Sequence, residues 1–350
     1  MVALWFGRYL AVARQALACL SIGLSLVCAS APASAQVADW DKVVAAAKAE
    51  GSLVLYTALV GAPSTKAIAK AFEAKYGIPV QVLEARASEL RERLRTEQAA
   101  GRHLGDVMFN SENQAIILNA EDKSIVPHDP VPNAASLVDQ FKDDGLKAPV
   151  MTINYGLLVN NRLVPPGEEP KSWRDLTDPK WKGKILSDDM RAVGGGYVLF
   201  FVTEEKLGKG YNEALAQQAI QFTREQREAG RRVARGEMAI YMPFILGDTQ
   251  NLKGLPVRTV VPTEGAPYVL YAIAAIKGAP HPNAARLYID FTMSDEVQEI
   301  FAQDGFGIVR HGVLDKVSPE ARAIADVKLM GGSDPMRQNE MLDLARSIYK

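Results

Sequence analysis

Residues Ala274–Phe291 read AAIKGAPHPNAARLYIDF. An apolar run ends at Ile276, Lys277-Gly278 begins a Gly-Pro turn, and apolar residues then recur at helical spacing through Ala284, Leu287, Tyr288 and Phe291. The stretch reads as a strand, a turn and an amphipathic helix. Working outward, the same alternation opens the chain. Asp39 caps an expected helix over Asp39–Glu50 that stops at Gly51, and Leu53–Tyr56 reads as a buried strand. Ser64–Tyr76 is an expected helix stopped by Gly77, Val80–Leu83 a strand, Ser88–Ala100 a charged helix and Asp106–Phe109 a third strand. Strand and helix alternating in this way imply a parallel sheet with right-handed crossovers.

Further along, Val150–Val159 is a longer β-like run ending at Asn160-Asn161 and a Pro/Gly/Glu-rich turn, Val164–Pro170. It reads as a first crossover into a second lobe. That lobe carries a strand at Lys184–Leu186, a Gly-rich turn, helices around Tyr197–Thr203 and Glu213–Gly230, and a strand at Met238–Met242. Val257–Val261 leads to a second crossover near Thr263–Ala275, so the first lobe is discontinuous. Phe306–Val309 and the last forty residues read as a return segment and closing helices.

The ends and the composition bound the class. Arg8 and Arg14, an apolar stretch from Ala16 to Cys28 and Ala33-Ser34-Ala35 form an export leader with a small-x-small cleavage site, which places the mature start near Gln36. The apolar core is shorter than the ~20 residues of a membrane span. Both cysteines, Cys19 and Cys28, lie in the leader, so neither a disulfide nor a thiolate is expected in the exported chain. The leader takes two arginines and no acids from 40 basic and 41 acidic residues, which leaves 38 against 41 and a formal charge of −3. A mildly acidic chain without a basic stripe argues against nucleic acid as partner. With the leader of 35 residues gone, the remainder of the 350 exceeds one comfortable core and suggests two lobes. Catalytic signatures are missing: there is no Gly-x-Ser-x-Gly, His-Glu-x-x-His or P-loop. The histidines His103, His128, His281 and His311 show no metal-ligand spacing.

In open parallel sheets ligands sit beyond the carboxyl ends of the strands, where helix N-termini favour anions. That rule selects Thr57–Thr65, Glu84–Ser88, Asn110–Asn113, Ser187–Tyr197 and Tyr241–Asp248. Within them the candidate ligand-binding residues are Thr57, Ser64, Ser111, Glu112, Arg191, Gly194, Gly195, Gly196, Tyr197, Tyr241 and Asp248, with Tyr268 at the second crossover. The three glycines allow close backbone approach, and the Arg191 guanidinium suits a carboxylate or phosphate. Ser64 and Ser111 read equally as helix caps, Tyr197 opens an expected helix, and Tyr241, Asp248, Tyr268 and Tyr271 serve either ligand stacking or hinge packing. Trp173–Lys184 reads as structural.

Together Gly51–Thr57, Gly105-Asp106-Val107, Trp173–Lys184, Ala234-Arg235-Gly236-Glu237 and Lys277–Ala285 resemble, in order, the extracellular solute-binding proteins of the Fe(III)/thiamine/phosphonate-type group, the capture subunits of ABC importers. The resemblance implies a two-lobed α/β fold of the type 2 periplasmic-binding class, each lobe a mainly parallel sheet flanked by helices and joined by two β-type crossovers. It divides the chain into a leader over 1–35, lobe one over 36–152 plus 268–310, lobe two over 153–267, and closing helices over 311–350 that belong to either lobe. It implies a monomeric periplasmic binder with no catalytic residue and no cofactor, whose partners are a small-molecule ligand and a membrane permease with its ATPase; no metal site is expected, because the chain departs from the ferric-binding members. Ferric-binding members carry adjacent tyrosines shortly after the segment matching Gly236–Ile240; here the stretch is Tyr241-Met242-Pro243-Phe244-Ile245-Leu246, which turns the expectation from iron to a small organic anion. Ferric ion, thiamine and polyamine stay as alternatives on the same fold, with Glu112, Asp188 and Asp248 as the carboxylates a cation would need. An enzyme and a receptor-docking sensor are the readings of other classes.

Overall fold

Two short carboxylate hubs explain why the opening stretch sits where it does. The computed structural model describes residues 33–208 and 210–350. The fully buried Asp106 accepts the Val54 N–H at 2.7 Å and the His281 N–H at 2.8 Å, and lies 2.9 Å from His281 Nδ1. Glu50 accepts the N–H groups of Asn283 and Ala284, at 3.1 and 2.8 Å, so a carboxylate faces the positive end of the helix that follows. The Gly51, Gly105-Asp106 and Lys277–Ala285 segments, far apart in sequence, are therefore one structural junction.

In chain order the first strands and helices are α1 (Ala33–Glu50), β1 (Leu53–Thr57), α2 (Pro63–Tyr76), β2 (Val80–Glu84), α3 (Ala87–Ala99), β3 (Val107–Ser111), α4 (Glu112–Ile117) and β4 (Ile125–Val126). The long β5 (Ala148–Asn160) follows, then β6 (Ile185–Asp188), α5 (Gly195–Leu207), α6 (Tyr211–Ala216), β7 (Gln221–Thr223), α7 (Gln226–Arg235) and β8 (Ile240–Ile245). The remainder is β9 (Val257–Val260), β10 (Ala266–Ile276), α8 (Pro282–Thr292), α9 (Asp295–Gln303), β11 (Gly307–Ile308), α10 (Pro319–Ala325), β12 (Leu329–Gly331) and α11 (Gln338–Ile348).

The strands run in the order β2-β1-β3-β10-β5-β8-β6-β7. Parallel sets β2-β1-β3 and β8-β6-β7 stand at the two ends, and the antiparallel β10 and β5 join them. The two joining strands change core along their length. Ala148, Val150 and Met151 of β5 pack with Leu53, Leu55, Phe72 and the apolar face of α8, whereas Tyr155, Leu157 and Val159 pack with Trp173, Phe200 and Ile240. Between them Thr152 and Asn154 are buried and polar, with Thr152 Oγ1 and Asn154 Oδ1 lacking partners among the described residues. Met341, Leu342 and Ala345 of α11, with Tyr349 beyond it, join the second core, whereas α10 packs against α9 and β11.

Several expectations change. The helix expected to begin at Asp39 begins at Ala33, so Asp39 is not a cap. The leader reading over 1–35 lies outside the described residues except for its last three positions. The helix expected over Glu213–Gly230 is α6, the edge strand β7 and α7: Gln221, Phe222 and Thr223 pair with Leu186, Ser187 and Asp188, and sheet pairing overrides local helix propensity there. Trp173 is fully buried, with its indole N–H donating to the Gly265 carbonyl at 2.9 Å, in keeping with a structural role.

Candidate functional site

The glycine-rich turn after β6 is built around Asp188. This buried carboxylate closes on the first turn of α5, accepting the Gly196 N–H at 2.8 Å, and also takes the Gln226 amide at 3.2 Å. A Cβ on Gly196 would stand 2.4 Å from the Asp188 carbonyl oxygen, and one on Gly195 would stand 3.1 Å from the Tyr155 ring. Gly194, at φ 156°, lies against the Asp188 carboxylate. The glycines are thus required by strand, helix and tyrosine meeting closely, and the helix N-terminus expected to be free for an anion already faces a protein carboxylate. The same holds at α2, where Asp304 accepts the Ser64 N–H at 3.0 Å.

Tyr155 leads from this turn to the rest of the site. Burial, together with nearby Tyr271, Asp188 and Asp248, holds its phenol above the ordinary value. Tyr241 is buried without a hydrogen-bond partner among the described residues, and burial, with Asp188, Tyr155 and Asp248, holds its phenol above the ordinary value. Burial raises the Asp248 carboxyl, against the pull of Arg227 and Asn251. Tyr271 lies opposite Ser111 of β3 and Met151 of β5, at the end of the first parallel set. Phenols and carboxyl groups therefore gather where β5 passes from one core to the other, beside the ends of β6 and β8. Phenols offer donors, carboxylates offer acceptors, and together they suit a hydroxyl-bearing organic solute.

A groove of about 410 Å³ continues from Asp248 and Gln226 between α7 and the turn after β8, lined by Arg227, Arg231, Phe244 and Asn251. Close to it, Arg224 donates to the Val193 carbonyl at 3.0 Å. On the side of the first core, Gly305 meets Gly247 of that same turn: a Cβ on Gly247 would lie 2.5 Å from the Gly305 carbonyl oxygen.

Of the residues expected from sequence, Tyr241, Asp248 and the three glycines come together. Thr57 is fully buried, its hydroxyl accepting the Leu59 N–H at 3.2 Å, and Ser64 is buried with its hydroxyl unpartnered. Ser111 precedes α4 without capping it. Glu112 pairs with Lys147 at 3.1 Å and shares a separate depression of about 200 Å³ with Tyr268, whose hydroxyl accepts from Gln140 at 3.5 Å. Two side chains depart from their expected role. The Arg191 guanidinium is taken by Asp189 at 2.8 Å and stacks over Phe222, so its fork is occupied. Tyr197 points into the second core beside Phe201, where burial pushes its phenol up to about 12. Sequence reasoning missed Tyr155, treated Asp188 only as a carboxylate for a cation, and passed over Arg227 and Arg231. A tyrosine next to Gly156, following the polar Thr152 and Asn154 in the crossover strand, was the available signal.

Comparison with known proteins places this geometry. The family model described as bacterial extracellular solute-binding protein matches residues 67–329. An uncharacterized Haemophilus influenzae protein is 29% identical over 276 residues, covering 75% of this chain and 79% of its own. The structure of AfuA from Actinobacillus pleuropneumoniae, a periplasmic binding protein with exogenous fructose-6-phosphate bound, superimposes with a TM-score of 0.65 at 23% identity, covering 85% of this chain and 98% of that one. A Bordetella ferric binding protein reaches 0.71 at 17% identity, with 85% and 98% covered. At these identities the two structures establish the fold: two α/β lobes of the type 2 periplasmic-binding class.

Proposed function

The chain belongs to the bacterial extracellular solute-binding proteins, which bind and carry rather than catalyse, and on that premise we propose that it captures a small organic anion in the periplasm and delivers it to an ABC permease. The captured class is a carboxylate, phosphonate or phosphate ester. The observation that carries the ligand reading is the convergence of Tyr155, Tyr241, Asp188 and Asp248 beside a groove lined by arginines. Neutral phenols and guanidinium groups that make no ion pair among the described residues donate to an oxyanion, and the carboxylates accept from the hydroxyls of its organic body.

Capture proceeds by closure. Lobe one is residues 36–152 with 268–310, and lobe two is 153–267; β5 and β10 are the hinge strands. Separating the lobes opens a path to Tyr155, and a solute that touches both lobes favours the closed form by its differential affinity for it. The Gly247–Gly305 contact is then the point where the lobes rest on each other. Residues 1–35 act as the cleavable leader that directs export. AfuA, with its bound sugar phosphate, offers a precedent for such a ligand on this fold, and the ferric binding protein offers one for iron. The stretch Tyr241–Leu246, without paired tyrosines, favours the former.

A thermal-shift panel of the purified protein tests the reading, because a solute that binds only the native state raises the melting temperature. Sugar phosphates, phosphonates and carboxylates are set against ferric citrate, thiamine and polyamines. A rise with an organic anion is expected. A rise confined to iron or the cations overturns the ligand class and leaves the family standing.

A further inference from the structure

We propose that the groove between α7 and the turn 246–252 is an anion subsite that holds the phosphate or carboxylate group of the solute. The inference rests on the organic-anion reading above and adds where the charge is bound. Four arginines of α7 divide by face. Arg232 pairs with Glu237 at 3.0 Å, and Arg235 pairs with Glu228 and Glu237, each at 2.7 Å. Arg227 and Arg231, one turn apart, make no ion pair among the described residues and both line the groove. Two like charges at this spacing disfavour the helix and gain from an anion placed between them.

Gly230 lies on the same face, and a Cβ there would come within 3.3 Å of Leu252. Phe244 supplies an apolar wall, and Gln226 ties the head of the groove to Asp188. Asp248 shares the groove with Arg227 and is also an electrostatic neighbour of Tyr155 and Tyr241. One solute can therefore place its acidic group between the guanidiniums and its hydroxyls toward Asp248 and Tyr155. Planar guanidinium groups bind phosphate or carboxylate through paired N–H donors, which is the chemistry this groove presents. Arg191, the arginine singled out from sequence, is occupied by Asp189 and does not supply it.

The test is calorimetric titration of the full protein and two variants with glycerol 3-phosphate, citrate and uncharged glycerol. Arg227→Gln/Arg231→Gln is expected to weaken anion binding at least about tenfold, whereas Arg235→Gln, on the paired face, stays within about twofold. Raising the salt from about 0.05 M to about 0.5 M is expected to weaken the parent more than the double variant. Circular dichroism and the melting temperature confirm that each variant folds, and a singly substituted Arg231→Lys, which keeps the charge, is expected to fall between parent and double variant. Anion affinity equal in parent and double variant overturns the subsite and leaves the organic-anion reading intact. A parent that binds ferric ion but neither anion overturns both.

Discussion

Replacing Asp106 is the most informative perturbation of the fold. Its carboxylate joins β1, β3 and the turn before α8 by accepting two backbone N–H groups at 2.7 and 2.8 Å and contacting His281 Nδ1 at 2.9 Å. It is fully buried. A hydrogen bond to a charged group contributes about 1.5–3 kcal/mol, and each buried donor left alone costs about 1–3 kcal/mol. Asp106→Ala strands the Val54 and His281 N–H groups together, so the expected loss is about 3–5 kcal/mol. Asp106→Asn keeps one acceptor but turns an amide donor toward one of the N–H groups, and is expected to lose roughly half as much. Urea unfolding followed by tryptophan fluorescence measures both, with an unchanged denaturant slope marking a pure stability effect. A ranking of parent above Asn above Ala is the expected result. If Asp106→Ala costs less than about 1 kcal/mol, the junction is not held by this carboxylate.

Gly247→Ala places a methyl group 2.5 Å from the Gly305 carbonyl oxygen; it is expected to wedge the lobes apart and weaken solute binding about 5- to 100-fold by titration, with little effect on unfolding of the unliganded protein. Tyr155→Phe leaves the ring packing in place and removes one hydroxyl, so solute affinity is expected to fall about 3- to 10-fold without loss of stability, and an unchanged affinity would show that the hydroxyl does not reach the solute. For His128, burial pulls the imidazole down, but Asp143 at 3.2 Å and the Asp129 carbonyl outweigh it, and the net direction is up. The 3.2 Å approach of Nε2 to Asp143 is an ion-pair contact without aligned hydrogen-bond geometry. A pKa raised on folding stabilises fully below the unfolded value and is lost as pH rises through the folded one. The stability difference between parent and His128→Gln is thus expected to be larger at about pH 5.5 than at about pH 8.5 in paired urea titrations.

Local signals carried most of the architecture into the sequence. Gly77 stops α2 in a left-handed conformation, as its position implied, and the apolar spacing from Ala284 to Phe291 became the buried face of α8. Pairing between distant segments was less legible. Residues 213–230 are rich in good helix formers, yet the sheet required an edge strand at Gln221–Thr223, and the turn before it places Ala219 at φ 50°. The site was legible by region rather than by residue. The strand-end rule reached the glycine turn, Tyr241 and Asp248, but it selected Arg191, whose guanidinium is taken by Asp189, and passed over Arg227 and Arg231, which make no ion pair among the described residues although Arg227 lies near Asp248. Charge pairing across an element is decided by which face carries the acids, and that depends on the turn following α7, where Gly236 brings Glu237 back to Arg232 and Arg235. Tyr155 became a site residue only because β5 changes core at that position.

Small-angle X-ray scattering with and without the saturating solute from the thermal-shift panel tests whether an organic anion is captured by closure of two lobes. The radius of gyration is expected to fall when the anionic solute is added and to stay constant with its uncharged analogue. A radius of gyration unchanged by a solute that demonstrably binds would contradict capture by closure.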